Sequence, residues 1–112
     1  MWLFCKHGFF SAVRHKRNQD CIHLRARFNG DLERLFLAHG INAEVTETPM
    51  NDYRYRADIP RQTWSRIVAA EADAIDYTNF KKAVHDGTIR DASYLLVWDV
   101  MSNVQSHALH GA

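Results

Sequence analysis

Basic side chains alternate with apolar or tyrosine side chains along two segments of this 112-residue chain. The segments are IHLRARF at residues 22–28 and YRYRADI at residues 53–59. Because successive side chains of a β-strand point to opposite faces of a sheet, each segment would place its basic residues on one face. If the two strands are neighbours, that face carries His23, Arg25, Arg27, Arg54 and Arg56. Guanidinium groups bind phosphates through paired hydrogen bonds, so we predict a face that contacts RNA or single-stranded DNA.

The same arginines could instead belong to a solvated sheet face. Acidic partners for them stand nearby in the sequence, at Asp52, Asp58, Glu44 and Glu47. Cross-strand ion pairs of this kind are common in antiparallel sheets. A sheet that binds single-stranded RNA also usually presents aromatic side chains for base stacking. Strict alternation puts Tyr53 and Tyr55 on the face opposite the arginines, although a shift of one residue would reverse this.

Two Cys-x-His pairs, Cys5 with His7 and Cys21 with His23, would each place both side chains on one face of a strand. Four such groups could form a tetrahedral zinc site. The spacing matches no standard zinc motif, and cysteine packs well as a small buried side chain. We therefore predict two reduced cysteines, no bound metal and no other cofactor. The histidines that stand apart from acidic residues with ligand-like spacing are predicted to be surface residues: His39, His85, His107 and His110.

No nucleophile elbow, glycine-rich phosphate loop or HExxH motif appears in the sequence. The segment DYTNFK offers Asp76, Tyr77 and Lys81, which could support acid–base chemistry together with a sheet arginine. A helix cap and packing corner accounts for the same residues. We therefore predict no catalytic residue and a non-enzymatic binding module, with a small enzyme of unknown reaction kept as an alternative.

Charge is distributed unevenly along the chain. The net charge is +1, but residues 1–28 contain six Lys or Arg and one acidic residue. Such an asymmetry fits either a phosphate-binding surface or a solvated loop, here RHKRNQD at residues 14–20. Lys6 and His7 interrupt the apolar start too early for a signal peptide, and no apolar run approaches the ~20 residues that span a bilayer. We expect a cytoplasmic protein without membrane contact.

The order of elements predicts an α+β fold. GFFSAVRH at residues 8–15 and the segment at 22–28 form a predicted hairpin, and a helix capped by Asn29 follows and buries Leu32, Leu35 and Phe36. A short strand, AEVTET, precedes the YRYRADI strand. Strands that pair antiparallel, with the helices gathered on one face, give a two-layer sandwich of ferredoxin-like kind, in which the strand at residues 8–15 is an edge.

Three helices are predicted after the last strand. The first starts at Pro60, whose missing N–H is harmless there, and turns Trp64, Ile67, Val68 and Ile75 toward the sheet. A short helix ends at Gly87, and the segment from Tyr94 to Val104 fits a helix better than a strand, with Trp98 in the core. We predict a single domain over residues 1–105 and a flexible C-terminal tail over residues 106–112.

The motifs IDYTNFK at residues 75–81 and VW--M at residues 97–101, with HLRAR and DYRYR before them, resemble a family of small uncharacterised bacterial proteins. In that family threonine often stands at the position of Cys5, which argues against a zinc site. The sequence YH-VW often replaces YLLVW, which favours a helix there. The resemblance covers nearly the whole chain and implies no activity.

A second class of function remains open beside nucleic-acid binding. A small protein-binding adaptor or inhibitor, of the kind carried by mobile elements, would dock through an edge strand or an aromatic helix face. The sequence leaves the oligomeric state open.

Overall fold

The computed structural model describes residues 1–109 and shows an α+β fold with one five-stranded sheet. The strands are β1 (Trp2–Cys5), β2 (Gly8–Arg14), β3 (Cys21–Ala26), β4 (Thr46–Glu47) and β5 (Tyr55–Pro60). The helices are α1 (Asp31–Ala38), α2 (Arg61–Asp73), α3 (Phe80–Ala83) and α4 (Ile89–Leu109). The chain divides into a first unit, Met1–Asp76, and a second unit that begins at Tyr77.

The five strands are ordered β1-β2-β3-β5-β4, and every neighbouring pair is antiparallel. The α+β class and the antiparallel sheet are therefore confirmed. β3 and β5, the two strands with alternating basic residues, are direct neighbours over six residue pairs. The strand predicted at residues 43–48 is reduced to the two residues of β4.

The sequence predicted that the strand at residues 8–15 is an edge of the sheet, and this prediction is wrong, because β2 lies between β1 and β3. β1 forms the edge instead, and it pairs with β2 through the tight turn at residues 6–7. The four residues of β1 are too few to show which of their side chains alternate between the two faces of the sheet. Only the pairing of Trp2 with Ser11 and of Phe4 with Phe9 shows which side chains share a face.

Helix α1 begins differently from the prediction. Its N-cap is Gly30, with a φ of 88°, and no side chain caps the helix. This left-handed backbone conformation suits glycine, which has no Cβ to clash. The N-cap is therefore Gly30, and the prediction that Asn29 caps the helix is wrong. The predicted buried stripe of Leu32, Leu35 and Phe36 is confirmed.

The hydrophobic core of the first unit lies between one sheet face and the first two helices. Alternate strand residues supply the sheet side of this core: Phe10, Ala12, Ile22, Leu24, Ala26, Ala57 and Ile59. Trp64 and Ile67 of α2 complete it, and Val68 packs at its border. The helix predicted to start at Pro60 starts one residue later, at Arg61, and Pro60 is its N-cap. Ile75 lies beyond the end of the helix and is exposed.

The second unit contains α3 and α4. Asn79 caps α3, because its side chain accepts a hydrogen bond from the backbone N–H of Lys82. The predicted helix from Tyr94 to Val104 is confirmed and extends over Ile89–Leu109. Tyr94 is buried and stacks on Phe80, with their ring centres 5.6 Å apart. Within the described residues, no helix is both long and apolar enough to cross a membrane.

The single domain over residues 1–105 and the flexible tail over residues 106–112 stay predictions. The part of that tail up to Leu109 continues helix α4. Residues 110–112 lie outside the described part of the chain.

Candidate nucleic-acid interface

The pairing of β3 with β5 brings together the basic residues that the alternation had predicted. Arg25 lies opposite Arg56, and His23 lies opposite Asp58. Their neighbours along each strand are core residues, so these four side chains project from the other face of the sheet. We call this surface the arginine face. Arg27 and Arg54 lie just outside the strands, after β3 and before β5.

Tyr53 lies beneath two of the arginines. The guanidinium carbon of Arg25 is 4.5 Å from the centre of the Tyr53 ring, and that of Arg27 is 4.1 Å away. Such contacts are favourable because the face of an aromatic ring is electron-rich. Tyr53 precedes β5, so the alternation of the strand does not govern it. The prediction that Tyr53 points away from the arginines is therefore wrong, whereas Tyr55 does pack against the core.

A row of aromatic side chains continues the arginine face toward the sheet edge. Phe9 stacks on Phe4, with ring centres 4.4 Å apart, and meets Trp2 edge-on at 5.8 Å. Phe9 also lies 6.4 Å from the Tyr53 ring. Trp2 remains 69% exposed. The aromatic partners expected of a base-stacking sheet are thus present, but they come from β1 and β2, whose role the sequence did not indicate.

Some charges on this face are paired, as on a solvated sheet. His23 Nδ1 lies 2.7 Å from Asp58 Oδ1, and Arg56 lies 3.2 Å from His23 Nε2. Arg56 also approaches Asp52 at 3.5 Å. Arg54 donates to Glu47 at 2.8 Å, so Arg54 belongs to an exposed ion pair at the sheet margin.

Arg25 and Arg27 differ from these residues, because neither forms an ion pair with a carboxylate of residues 1–109. Arg25 donates to Ser11 Oγ at 2.8 Å, and Arg27 donates to the Asp52 carbonyl at 2.9 Å. The Nε–H of Arg25 is buried and has no hydrogen-bond partner in the described structure. Both guanidinium groups are therefore held in place by neutral contacts while their charge is not balanced by an acid.

A groove of about 520 Å³ runs beside Arg25 and Arg56. Its charged walls come from the sheet and from the loop after β2: Arg14, His15, Lys16, Arg17, His23, Arg25, Arg56 and Asp58. Five Lys or Arg side chains thus face one carboxylate there. The loop that the sequence left ambiguous lies next to the sheet arginines. His23, Arg56 and Asp58 also border a second cavity, of about 760 Å³, at the β4–β5 edge.

The predicted cysteine–histidine pairs do not form one cluster. Cys5 is buried in the core, whereas Cys21 shares the strand face of His23. Neither cysteine forms a disulfide within residues 1–109. Burial is the main cause that raises the pKa of Cys5 to about 11; charge repulsion from Glu71 and Asp31 adds to it, and hydrogen bonds with the backbone of His7 and Gly8 oppose it. The pKa of Cys21 is also raised, by desolvation and by Asp58.

The other histidines have varied surroundings. His39 is half-buried and lies 2.8 Å from Glu71, so its predicted place as an isolated surface residue is wrong. His85 is exposed, as predicted, but pairs with Asp91 at 2.7 Å. His107 is exposed, and His110 lies outside the described residues.

The three residues considered for acid–base chemistry have separate partners. Asp76 closes the first unit and pairs with Lys6 at 3.6 Å. In the second unit, Tyr77 meets the Phe80 ring at 5.7 Å, and Lys81 lies 3.7 Å above the centre of the Trp98 ring.

Comparison with protein-family models, curated proteins and solved structures finds no match to this chain. The function of the arginine face must therefore be inferred from its own residues.

Proposed function

We propose that the arginine face binds single-stranded nucleic acid, RNA or DNA, without catalysis. One observation carries this proposal: a row of partly exposed aromatic rings lies next to arginines that form no ion pair within residues 1–109, on a single sheet face. Proteins that bind single strands combine these two features, because aromatic rings stack on bases while a basic groove follows the phosphates.

The groups on the face divide into two roles. Arg25, Arg27 and the loop residues Lys16 and Arg17 contact phosphates, since none of them forms an ion pair with an acid in the described part of the chain. Trp2 stacks on a base, because its ring is mostly exposed at the end of the aromatic row. Stacking contributes about 1–3 kcal/mol per base and is tolerant of sequence. We therefore expect weak sequence preference and affinity that depends strongly on salt.

Fluorescence anisotropy with labelled oligouridine and oligothymidine over a salt series tests the proposal. Log affinity should fall linearly with log salt, with a slope of about 0.7 per phosphate contact. The double variant Lys16→Ala/Arg17→Ala should reduce this slope by roughly 1.4 if each side chain meets one phosphate. Trp2→Ala should weaken binding and leave the slope unchanged. Comparing the two oligonucleotides separates an RNA ligand from a DNA ligand.

The double variant Arg66→Ala/Lys82→Ala is the matched control, because both side chains are exposed on helices outside the arginine face and their removal changes the net charge by the same two units. Arg61 is less suitable, since it donates to the Gln19 carbonyl at 2.9 Å and so holds the loop. Equal losses in the control and the loop variant would reduce the interaction to diffuse electrostatics. Absence of binding at low salt would refute the proposal.

A protein-binding adaptor or inhibitor is the second candidate function, favoured by α4. Large apolar side chains are exposed along this helix: Leu95, Leu96, Trp98, Val100, Met101 and Val104. A helix apolar on this much of its surface is normally covered. An adaptor or inhibitor would use this apolar helix to contact a partner protein. Binding of a partner protein to the full-length chain that is unaffected by Met101→Glu would refute a role for α4 in docking.

The layering of the first unit, the cellular location and the family of the protein are part of the same proposal. We propose a two-layer, ferredoxin-like arrangement of the first unit, supported by a core that joins α1 and α2 to one sheet face. A cytoplasmic location and membership of the uncharacterised bacterial family complete the proposal.

A further inference from the structure

Three side chains from distant parts of the chain meet beside the core of the first unit. His7 lies in the turn between β1 and β2, His39 directly follows α1, and Glu71 lies in α2. His39 Nε2 is 2.8 Å from Glu71 Oε1, and His7 Nε2 is 3.1 Å from the same oxygen. One nitrogen or oxygen atom from each residue lies within 4.8 Å of the other two.

We propose that His7, His39 and Glu71 bind a zinc ion in a tetrahedral site with one open position. Two imidazoles and one carboxylate are a ligand set that zinc accepts when a water or another molecule fills the fourth position. This proposal is independent of nucleic-acid binding.

Two of the three separations between ligand atoms already suit a zinc ion. Ligand atoms about 2.0–2.1 Å from zinc at tetrahedral angles stand about 3.3 Å from one another. The two imidazole nitrogens already lie close to this separation from Glu71 Oε1. The rings are inclined at 75° with their centres 6.0 Å apart, so they can approach one ion from different directions.

The surroundings of these three side chains favour a bound cation and limit its access to solvent. The side chains of His39 and Glu71 are only 15% and 12% exposed, whereas that of His7 is 34% exposed. The carboxylate is therefore largely withdrawn from water, and the His7 side leaves a path for the ion. Lys6, the adjacent cation in the chain, forms an ion pair with Asp76. Neutral imidazoles bind the ion, so any proton on their Nε2 atoms is released or moves to Nδ1.

The full-length chain, freed of metal with EDTA and dialysed, tests the site by calorimetric titration with ZnCl₂. We expect one zinc ion per chain. Titration with CoCl₂ should give the strong visible absorption of tetrahedral cobalt without a thiolate charge-transfer band, because Cys5 and Cys21 are not ligands. His7→Gln, His39→Gln and Glu71→Gln should each weaken binding by about tenfold or more, since even residues that only orient metal ligands have effects of this size.

His85→Gln is the matched control, because it also removes an imidazole that contacts a carboxylate, in the exposed pair with Asp91. Circular dichroism of the metal-free variants shows whether each is folded, and the partly exposed position of His7 in the turn between β1 and β2 keeps at least that variant informative. Failure to bind one zinc ion would overturn the proposal. So would unchanged affinity in the folded His7 variant, or a thiolate band in the cobalt spectrum.

Discussion

At the scale of single residues, Tyr53 determines how the cations of the arginine face are held. Its ring lies under both Arg25 and Arg27, and the two guanidinium groups make no ion pair with residues 1–109. An aromatic ring attracts a cation without neutralising it. The arginines are therefore ordered by Tyr53 but keep their charge for an anionic ligand.

Three substitutions of Tyr53 separate what its ring and its hydroxyl group contribute to stability and to oligonucleotide binding. Tyr53→Ala should lower the free energy of unfolding by about 3–5 kcal/mol, the usual cost of truncating a buried aromatic side chain. Tyr53→Leu keeps apolar volume but loses the contact with the arginines, so it should bind oligonucleotides less well. Tyr53→Phe should cost under about 1 kcal/mol and retain binding, because the ring itself makes the contact. Urea unfolding and anisotropy measure both effects. Equal losses for the Phe and Leu variants would show that the hydroxyl group matters instead.

At the scale of elements, the two helical tryptophans differ in how far they are buried, although the sequence predicted both to be core residues. Trp64 is 6% exposed and packs on the sheet, as predicted, but Trp98 is 49% exposed on α4. The prediction for Trp98 is therefore wrong. Both helices show apolar residues at helical spacing, and this spacing identifies a helix without showing whether its apolar side is covered.

Alanine substitutions of these tryptophans should reflect their different burial. Trp64→Ala should cost about 3–5 kcal/mol of unfolding free energy, because it leaves a cavity beneath α2. Trp98→Ala should cost only about 0.5–1 kcal/mol, the value of an exposed contact between a ring and a cation, here Lys81. Urea unfolding followed by circular dichroism measures both values. A loss at Trp98 as large as that at Trp64 would show that its ring is covered in solution.

The limits of sequence-based prediction follow from the range of the interactions. Alternation is a local property, so it correctly placed His23, Arg25 and Arg56 on one face. The contacts of Tyr53 depend on a bend before β5, and those of His39 depend on Glu71, which lies 32 residues away. Neither contact leaves a local pattern in the sequence. The edge strand β1 was missed for a similar reason, because its four residues are too few to show a period.

At the scale of the whole molecule, the first unit contains its own core. All members of the core cluster lie between Cys5 and Ile67, and the unit ends at Asp76. The residues of the arginine face and those of the proposed zinc site lie in the same unit. Each helix and strand needed for these surfaces is therefore encoded before Tyr77.

A fragment of residues 1–76 should fold without the second unit. Its core joins one complete sheet face to α1 and α2, and a fragment of this length lies within the range of independently folding domains. We expect a cooperative urea transition and a circular dichroism spectrum that contains β-sheet. The same fragment carrying Trp64→Ala is the control and should be largely unfolded. An unstructured wild-type fragment would show that residues after 76 are required for folding.

The order of the strands also has a consequence for folding kinetics. β1, β2 and β3 follow one another within residues 2–26, so short turns bring them together. β5 pairs with β3 only after the chain has passed through α1, and closing this longer connection has a larger entropic cost. The three-stranded meander should therefore form early and β5 should dock late. Since Arg56 and Tyr53 arrive with β5, a folding intermediate would have the edge aromatics in place and still lack the complete binding surface.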